Sequence, residues 1–113
     1  MRRLPLPTRS LAPGGPPPQI LADLQQAVAH ANASRWADAE LYARKVLAAQ
    51  PLDPSALNVL GTVAMNTGRS AEAIAWFQQA AGGQPKNPFI QFNLGEAHRR
   101  LQAYETAAKF FQQ

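Results

Sequence analysis

The chain has 113 residues, of which 11 are basic and 7 acidic, giving a formal net charge of +4; ten residues are prolines and none is cysteine. This length suits one domain, and the lack of cysteine excludes a disulfide framework, thiol redox chemistry and metal binding by thiolates. The positive charge would favour nucleic acid or an anionic membrane as a partner if it were gathered on the folded domain.

The first 18 residues differ in composition from the rest of the chain. They contain six of the ten prolines, no acidic residue, and the three arginines Arg2, Arg3 and Arg9. Because each proline removes a backbone donor and disrupts the preceding helical turn, we expect residues 1–18 to be a disordered or polyproline-like arm ahead of a domain at 19–113. Without these arginines the net charge is +1, so charge does not predict a nucleic-acid partner.

No apolar stretch of the sequence is long enough for export or for a membrane. A secretory signal needs about 7–15 uninterrupted apolar residues, but prolines and polar residues separate Leu4, Leu6 and Leu11. A membrane-spanning helix needs about 20. We therefore expect no membrane partner and a cytoplasmic location.

Similar residues recur every 34 positions after the arm. Alanine occupies 39, 73 and 107, and a small residue occupies 27, 61 and 95. Further pairs with this spacing are Pro51 and Pro85, Pro54 and Pro88, Leu60 and Leu94, and Phe77 and Phe111. A fixed period of this length indicates a repeat protein, with units at about 20–53, 54–87 and 88–113.

Each unit is predicted to hold two helices. Asp53-Pro54 and Asn87-Pro88 are helix start signals, because Asp or Asn caps backbone donors and proline suits the first helical position. In the middle unit, Leu57, Leu60, Gly61 and Ala64 share one helical face, and Gly68 is a stop signal. Its second helix then buries Ala73, Ile74, Phe77, Ala80 and Ala81. The fold class is therefore all-α.

The middle unit resembles a tetratricopeptide repeat. It carries the signature residues of that family in register: Leu57, Leu60-Gly61, Ala73, Phe77, Ala80 and Pro85. The first unit departs from the pattern, since Asp23 and Gln26 stand where the family has bulky residues. The resemblance implies an α-solenoid of antiparallel helix pairs, here with roughly two and three-quarter repeats.

The third unit ends at Gln113, before a full period is complete. Solenoids normally end in a polar capping helix, whereas Tyr104, Ala107, Ala108, Phe110 and Phe111 would lie near an uncovered end here. Two interpretations stay open. Either the chain is a fragment of a longer repeat protein, or the end associates with another copy of the chain through Tyr104, Ala108 and Phe111.

The titratable residues do not suggest catalysis. His30 and His98 occupy equivalent positions two periods apart, which places a whole helix pair between them, and we interpret them as packing residues. Asp38 and Glu72 lie near the starts of the second helices, where the helix dipole favours acids. No nucleophile motif or phosphate-binding loop occurs. We predict that the chain is not an enzyme and has no metal or cofactor.

In tetratricopeptide arrays the first helix of each repeat lines a concave groove that binds peptides or partner helices. The resemblance therefore predicts a groove surface formed by Asn58, Thr62, Met65, Phe89, Phe92, Asn93, Glu96, Arg99 and Arg100. Aromatic anchors beside arginines suit an apolar peptide followed by an acidic group. The alternative is that Phe89 or Phe92 packs against the preceding repeat and that the arginines are a solvated helix end.

Two functions follow from the resemblance. The first is a protein interaction module or scaffold that binds a peptide or partner helix in the groove. The second is the substrate-recruiting arm of a larger glycosyltransferase or sulfotransferase, since Asn93 is similar to the asparagines that line the repeat arms of O-linked N-acetylglucosamine transferases. The subgroup that clamps chaperone C-termini is excluded, because Leu24 and Val28 replace its Lys and Asn.

Overall fold

The computed structural model describes residues 3–6 and 18–111, and side chains of the last helix as far as Lys109. Within these ranges the protein consists of five helices and no strand, which confirms the all-α class. The helices are α1 Pro18–Asn32, α2 Trp36–Ala49, α3 Pro54–Asn66, α4 Ser70–Gly83 and α5 Pro88–Phe111. Consecutive helices pack against each other, and α3 also contacts α1 and α5, as expected for a solenoid of helix pairs.

The predicted start signals operate as expected. The Asp53 carboxylate accepts a hydrogen bond from the Ala56 backbone N–H at 3.0 Å, and Pro54 is the first residue of α3. Asn87 does the same for α5, where its side-chain oxygen accepts from the Phe89 N–H at 2.9 Å. These bonds satisfy donors that the first helical turn leaves without a partner.

The turns inside the first two helix pairs share one conformation. Ser34 between α1 and α2 has φ 60, and Gly68 between α3 and α4 has φ 80. In each turn the following arginine donates its backbone N–H to a carbonyl five residues earlier: Arg35 to His30 at 2.9 Å and Arg69 to Ala64 at 2.8 Å. A left-handed residue at this point ends the first helix and reverses the chain.

The core of the middle repeat is built on a close approach between α3 and α4. Phe77 is fully buried, and its ring lies directly over the Cα of Gly61. A Cβ added at Gly61 would stand 2.6 Å from Phe77 Cδ1 and 2.7 Å from Cζ. Glycine at position 61 therefore makes room for the phenylalanine one helix later.

The buried face of the first helix is shifted relative to the repeat pattern. Leu24, Val28 and Ala31 are buried and Leu21 is half-buried. Asp23 is 9% exposed, and its carboxylate accepts a hydrogen bond from the Gln19 amide at 3.1 Å. The departure of this unit from the repeat pattern thus moves the buried stripe without preventing helix formation.

The third unit differs from the prediction of two helices. α5 continues without a break from Pro88 to Phe111, so the turn and second helix expected here do not form. The position of Ser34 and Gly68 is taken by Gln102, flanked by Leu101 and Ala103, and all three are good helix formers. Nothing at this position favours a positive φ.

Candidate functional site

The face predicted to form the groove belongs to α1, α3 and α5, and α3 contacts both of the other two helices. A cavity of about 600 Å³ lies between α3 and α5. α3 contributes Thr62, Met65 and Asn66 to its lining, α5 contributes Phe92, Asn93, Glu96 and Arg100, and Leu4 of the N-terminal segment closes one side. Six of the nine residues predicted for the groove, Thr62, Met65, Phe92, Asn93, Glu96 and Arg100, therefore surround one cavity.

The floor of the groove is a buried polar contact between neighbouring repeats. The Asn93 amide donates a hydrogen bond to the Asn58 side-chain oxygen at 3.2 Å, and both residues are less than a tenth exposed. The Thr62 hydroxyl donates to the Asn58 backbone carbonyl at 2.9 Å. Because buried polar groups need partners, the Asn93–Asn58 bond ties α5 to α3 next to the cavity, while the Thr62 bond lies within α3.

The two adjacent arginines of α5 have different surroundings. Arg100 is half-buried and donates through Nη1 to the Met65 carbonyl at 3.2 Å and to the Asn66 side-chain oxygen at 3.5 Å. Carbonyls at the C-terminal end of α3 carry partial negative charge, which favours a cation there. The structure thus holds Arg100 at the end of the cavity.

Arg99 lies away from the cavity lining. Its side chain is 66% exposed and forms an ion pair with Glu96 one turn earlier. The hydrogen bond from Arg99 lowers the pKa of Glu96 below its usual value, and the same contact raises the pKa of Arg99. Glu96 lines the cavity with its charge offset by Arg99.

The two phenylalanines predicted to face the groove also differ in their surroundings. Phe89 is half-buried and packs against the core cluster that includes Val28 and Val59, which is the packing role considered as the alternative. Phe92 is 45% exposed and borders the cavity. The aromatic anchor available at the cavity is therefore Phe92.

The N-terminal segment places Leu4 in the groove beside α1. The Leu4 backbone N–H donates to the Asn32 side-chain oxygen at 2.7 Å, and the Asn32 amide donates to the Leu4 carbonyl at 3.1 Å. The Leu4 side chain is 6% exposed. Composition predicts a disordered arm over residues 1–18 and does not indicate this contact. Residues 1–2 and 7–17 lie outside the described part, so disorder there stays a prediction.

The histidines have no common site in the described part of the chain. His30 stacks on Tyr42 with ring centroids 5.5 Å apart, and its Nδ1 accepts a hydrogen bond from Arg35 Nε at 2.9 Å. His98 is exposed. Across residues 3–6 and 18–111, no group of three or more His, Cys, Asp or Glu residues could hold a metal ion.

Comparisons with known proteins agree with this architecture. A family model described as tetratricopeptide repeat matches residues 24–88. The match spans more than half of the sequence, so the chain belongs to the tetratricopeptide-repeat family. Repeats of this family typically serve as non-catalytic surfaces for proteins or peptides, and at that general level the chain is a protein-interaction module.

A solved structure shares the fold. The C-terminal tetratricopeptide-repeat domain of an FK506-binding protein from Plasmodium falciparum is similar, with a TM-score of 0.75 and 25% sequence identity. The match covers 78% of this chain and 58% of the Plasmodium falciparum domain. This chain therefore spans less than two thirds of the length of that domain. The curated proteins include no match. Among the helices described, none combines the length and apolar character that a membrane span requires.

Proposed function

We propose that the chain binds an extended peptide of a protein partner along the groove, with the cavity between α3 and α5 as the main binding site. The observation that supports this proposal is the placement of an exposed aromatic ring, Phe92, and a fixed cation, Arg100, on the border of one cavity of about 600 Å³. A volume of this size lies within the range of about 300–1,000 Å³ that is typical of ligand-binding pockets.

The chemistry of the cavity favours an apolar residue followed by an acidic group. Phe92 offers an apolar face, and aromatic and arginine residues are common anchors of interfaces. Arginine has five N–H donors, and the Arg100 contacts described above use Nη1, so the other donors suit a carboxylate. The Glu96 carboxylate opposes an incoming acid less than a lone carboxylate would, because Arg99 neutralises it.

Selection of peptides from a random display library on the purified chain tests the proposal. We expect a consensus with an apolar residue and a nearby acidic residue, and at least a tenfold loss of affinity in the Phe92→Ala, Arg100→Ala double variant. His98→Ala is the matched control, because His98 is an exposed residue of α5 that is absent from the cavity lining. Circular dichroism verifies that each variant is folded. Equal binding by the double variant and the wild type would contradict the proposal.

Self-association through the end of α5 is a separate prediction of the sequence. Its support is that Tyr104 is 55% exposed and Ala108 is also exposed, while the Phe111 side chain lies outside the described part. Sedimentation equilibrium of the chain and of Tyr104→Lys tests it; a monomer at all concentrations would exclude this interface. The transferase-arm alternative and the cytoplasmic location remain predictions from sequence.

A further inference from the structure

The described N-terminal residues contact the groove in the manner of a bound peptide. Asn32 pairs with both backbone polar groups of Leu4, at 2.7 Å and 3.1 Å. A side-chain amide that donates to a carbonyl and accepts from the N–H of the same residue recognises an extended backbone, whatever the side chain. Asn32 therefore provides a backbone-binding position on α1.

The side chain of Leu4 supplies the apolar part of this contact. It belongs to the buried cluster with Val28 of α1 and Val59 of α3. It also borders the cavity of Phe92 and Arg100 on one side and a smaller cavity next to Phe89 on the other. Leu4 thus fills the groove at a point where all three groove helices are close.

The flanking residues make little contact of their own. Arg3, Pro5 and Leu6 are exposed, with Leu6 58% exposed. A segment that is held through one buried side chain and one amide is at the low end of local stability in a folded protein. Such a segment exchanges with a competitor far more readily than a core helix does.

The sequence of the segment suits an extended ligand. Leu4 precedes Pro5 and Leu6 precedes Pro7, and a residue before proline is held out of the α-helical region. A peptide already extended loses less conformational entropy on binding. Because the chain tethers the segment to α1, its concentration at the groove is on the order of millimolar.

We propose that residues 3–6 are an intramolecular ligand that occupies the groove and competes with the peptide of the protein partner. The partner segment supplies an apolar residue in an extended stretch, as Leu4 does, and displaces Leu4 because its acidic group also reaches the cavity of Phe92 and Arg100 that Leu4 only borders. This inference rests on the proposed function, since the competition concerns the same groove.

Fluorescence anisotropy with a labelled synthetic peptide of residues 1–7, Met-Arg-Arg-Leu-Pro-Leu-Pro, tests the competition on the full-length chain. Leu4→Asp removes the internal ligand, because a carboxylate is disfavoured in the apolar cluster. We expect this variant to bind the probe about tenfold more tightly than the wild type, as for a site that is about nine-tenths occupied. The matched control Leu6→Asp changes an exposed leucine two positions away and should bind as the wild type does.

Two further measurements separate the outcomes. Adding Asn32→Ala to the Leu4→Asp chain should abolish probe binding. In NMR spectra recorded without any peptide, the Asn32 side-chain amide signal of Leu4→Asp should be shifted relative to that of the wild type. The same signal of Leu6→Asp should coincide with that of the wild type.

An unshifted Asn32 signal, or equal probe affinity of Leu4→Asp and the wild type, would overturn the inference and leave the peptide selection unaffected. A lower melting temperature of Leu4→Asp without any gain in probe binding would assign residues 3–6 to a structural strap, which also overturns it. Failure of the library selection, with the Asn32 shift and the affinity gain both present, would instead contradict the larger cavity as the partner site.

Discussion

The middle repeat and the third unit carry the same sequence pattern and form different structures. In the middle repeat, Gly61 lies against the buried ring of Phe77, and α3 and α4 form a tight pair. In the third unit, Gly95 occupies the equivalent position, yet no atom of the part that the structure describes lies within 4 Å of where its Cβ would be. Gly61, Ala73 and Phe77 have identical equivalents in the third unit, so these residues do not by themselves produce a helix pair.

The difference lies in the residue at the turn. Gly68 adopts φ 80 after α3, which glycine does without steric cost. Its equivalent is Gln102, which continues the helix, so α5 extends past the point where α3 ends. A residue in the left-handed region stands at the turn of each helix pair, whereas the third unit has a good helix former at this position and stays a single helix.

The largest expected effect comes from the core of the middle repeat. Phe77→Ala removes a fully buried ring and should lower the free energy of unfolding by about 3–5 kcal/mol. Tyr104→Ala, on the exposed part of α5, should change it by less than about 0.5 kcal/mol. Urea denaturation measures both, and comparable losses would show that the end of α5 is packed as tightly as α4.

A smaller effect is expected at the turn itself. Gly68→Ala forces a side chain into the left-handed region and should cost about 1 kcal/mol, which is a decrease of about 4–8 °C in the melting temperature of a domain of this size. Gly82→Ala is the control, because Gly82 is helical and its Cβ would meet nothing within 4 Å. An unchanged melting temperature for Gly68→Ala would mean that the turn does not require the positive φ.

The smallest effect concerns the exposed ion pair of α5. Because the hydrogen bond from Arg99 lowers the pKa of Glu96, the pair stabilises the folded chain above the unfolded pKa of glutamate, near 4.3. That contribution is lost as the pH falls through the lowered folded value. An NMR titration should find the Glu96 pKa below that of a free glutamate, and Arg99→Gln should move it upward. A Glu96 pKa that Arg99→Gln leaves unchanged would assign the shift to another neighbour.

Much of the fold could be predicted because its determinants are local or periodic. Asp53-Pro54 and Asn87-Pro88 start helices through bonds within three residues, and the period of 34 places Gly61 and Phe77 on the two helices of one unit. The period of 34 identifies the packing residues but not the backbone conformation at Gln102. For this reason it did not predict that α5 is continuous. The weak signal was the lack of glycine or a similar turn residue at that position.

The candidate site could be predicted less completely, since its geometry depends on contacts between units. The Asn93 bond to Asn58 and the Arg100 bond to Met65 each join residues 35 positions apart, so face assignments alone do not distinguish Arg100 from Arg99. The contact of Leu4 with Asn32 was missed because composition predicted a disordered arm. Leucine before proline indicates an extended segment, but it does not indicate where that segment binds.

A matched pair of glycine substitutions tests the contrast between the two repeats most directly. Gly61→Ala places a Cβ against the Phe77 ring and should lower the free energy of unfolding by about 1–3 kcal/mol. Gly95→Ala meets open space in a helix and should raise it by up to about 1 kcal/mol. Thermal unfolding of both variants should therefore show shifts of opposite sign. A loss of stability in Gly95→Ala similar to that of Gly61→Ala would contradict the account, because it would mean that the third unit also folds into a packed helix pair.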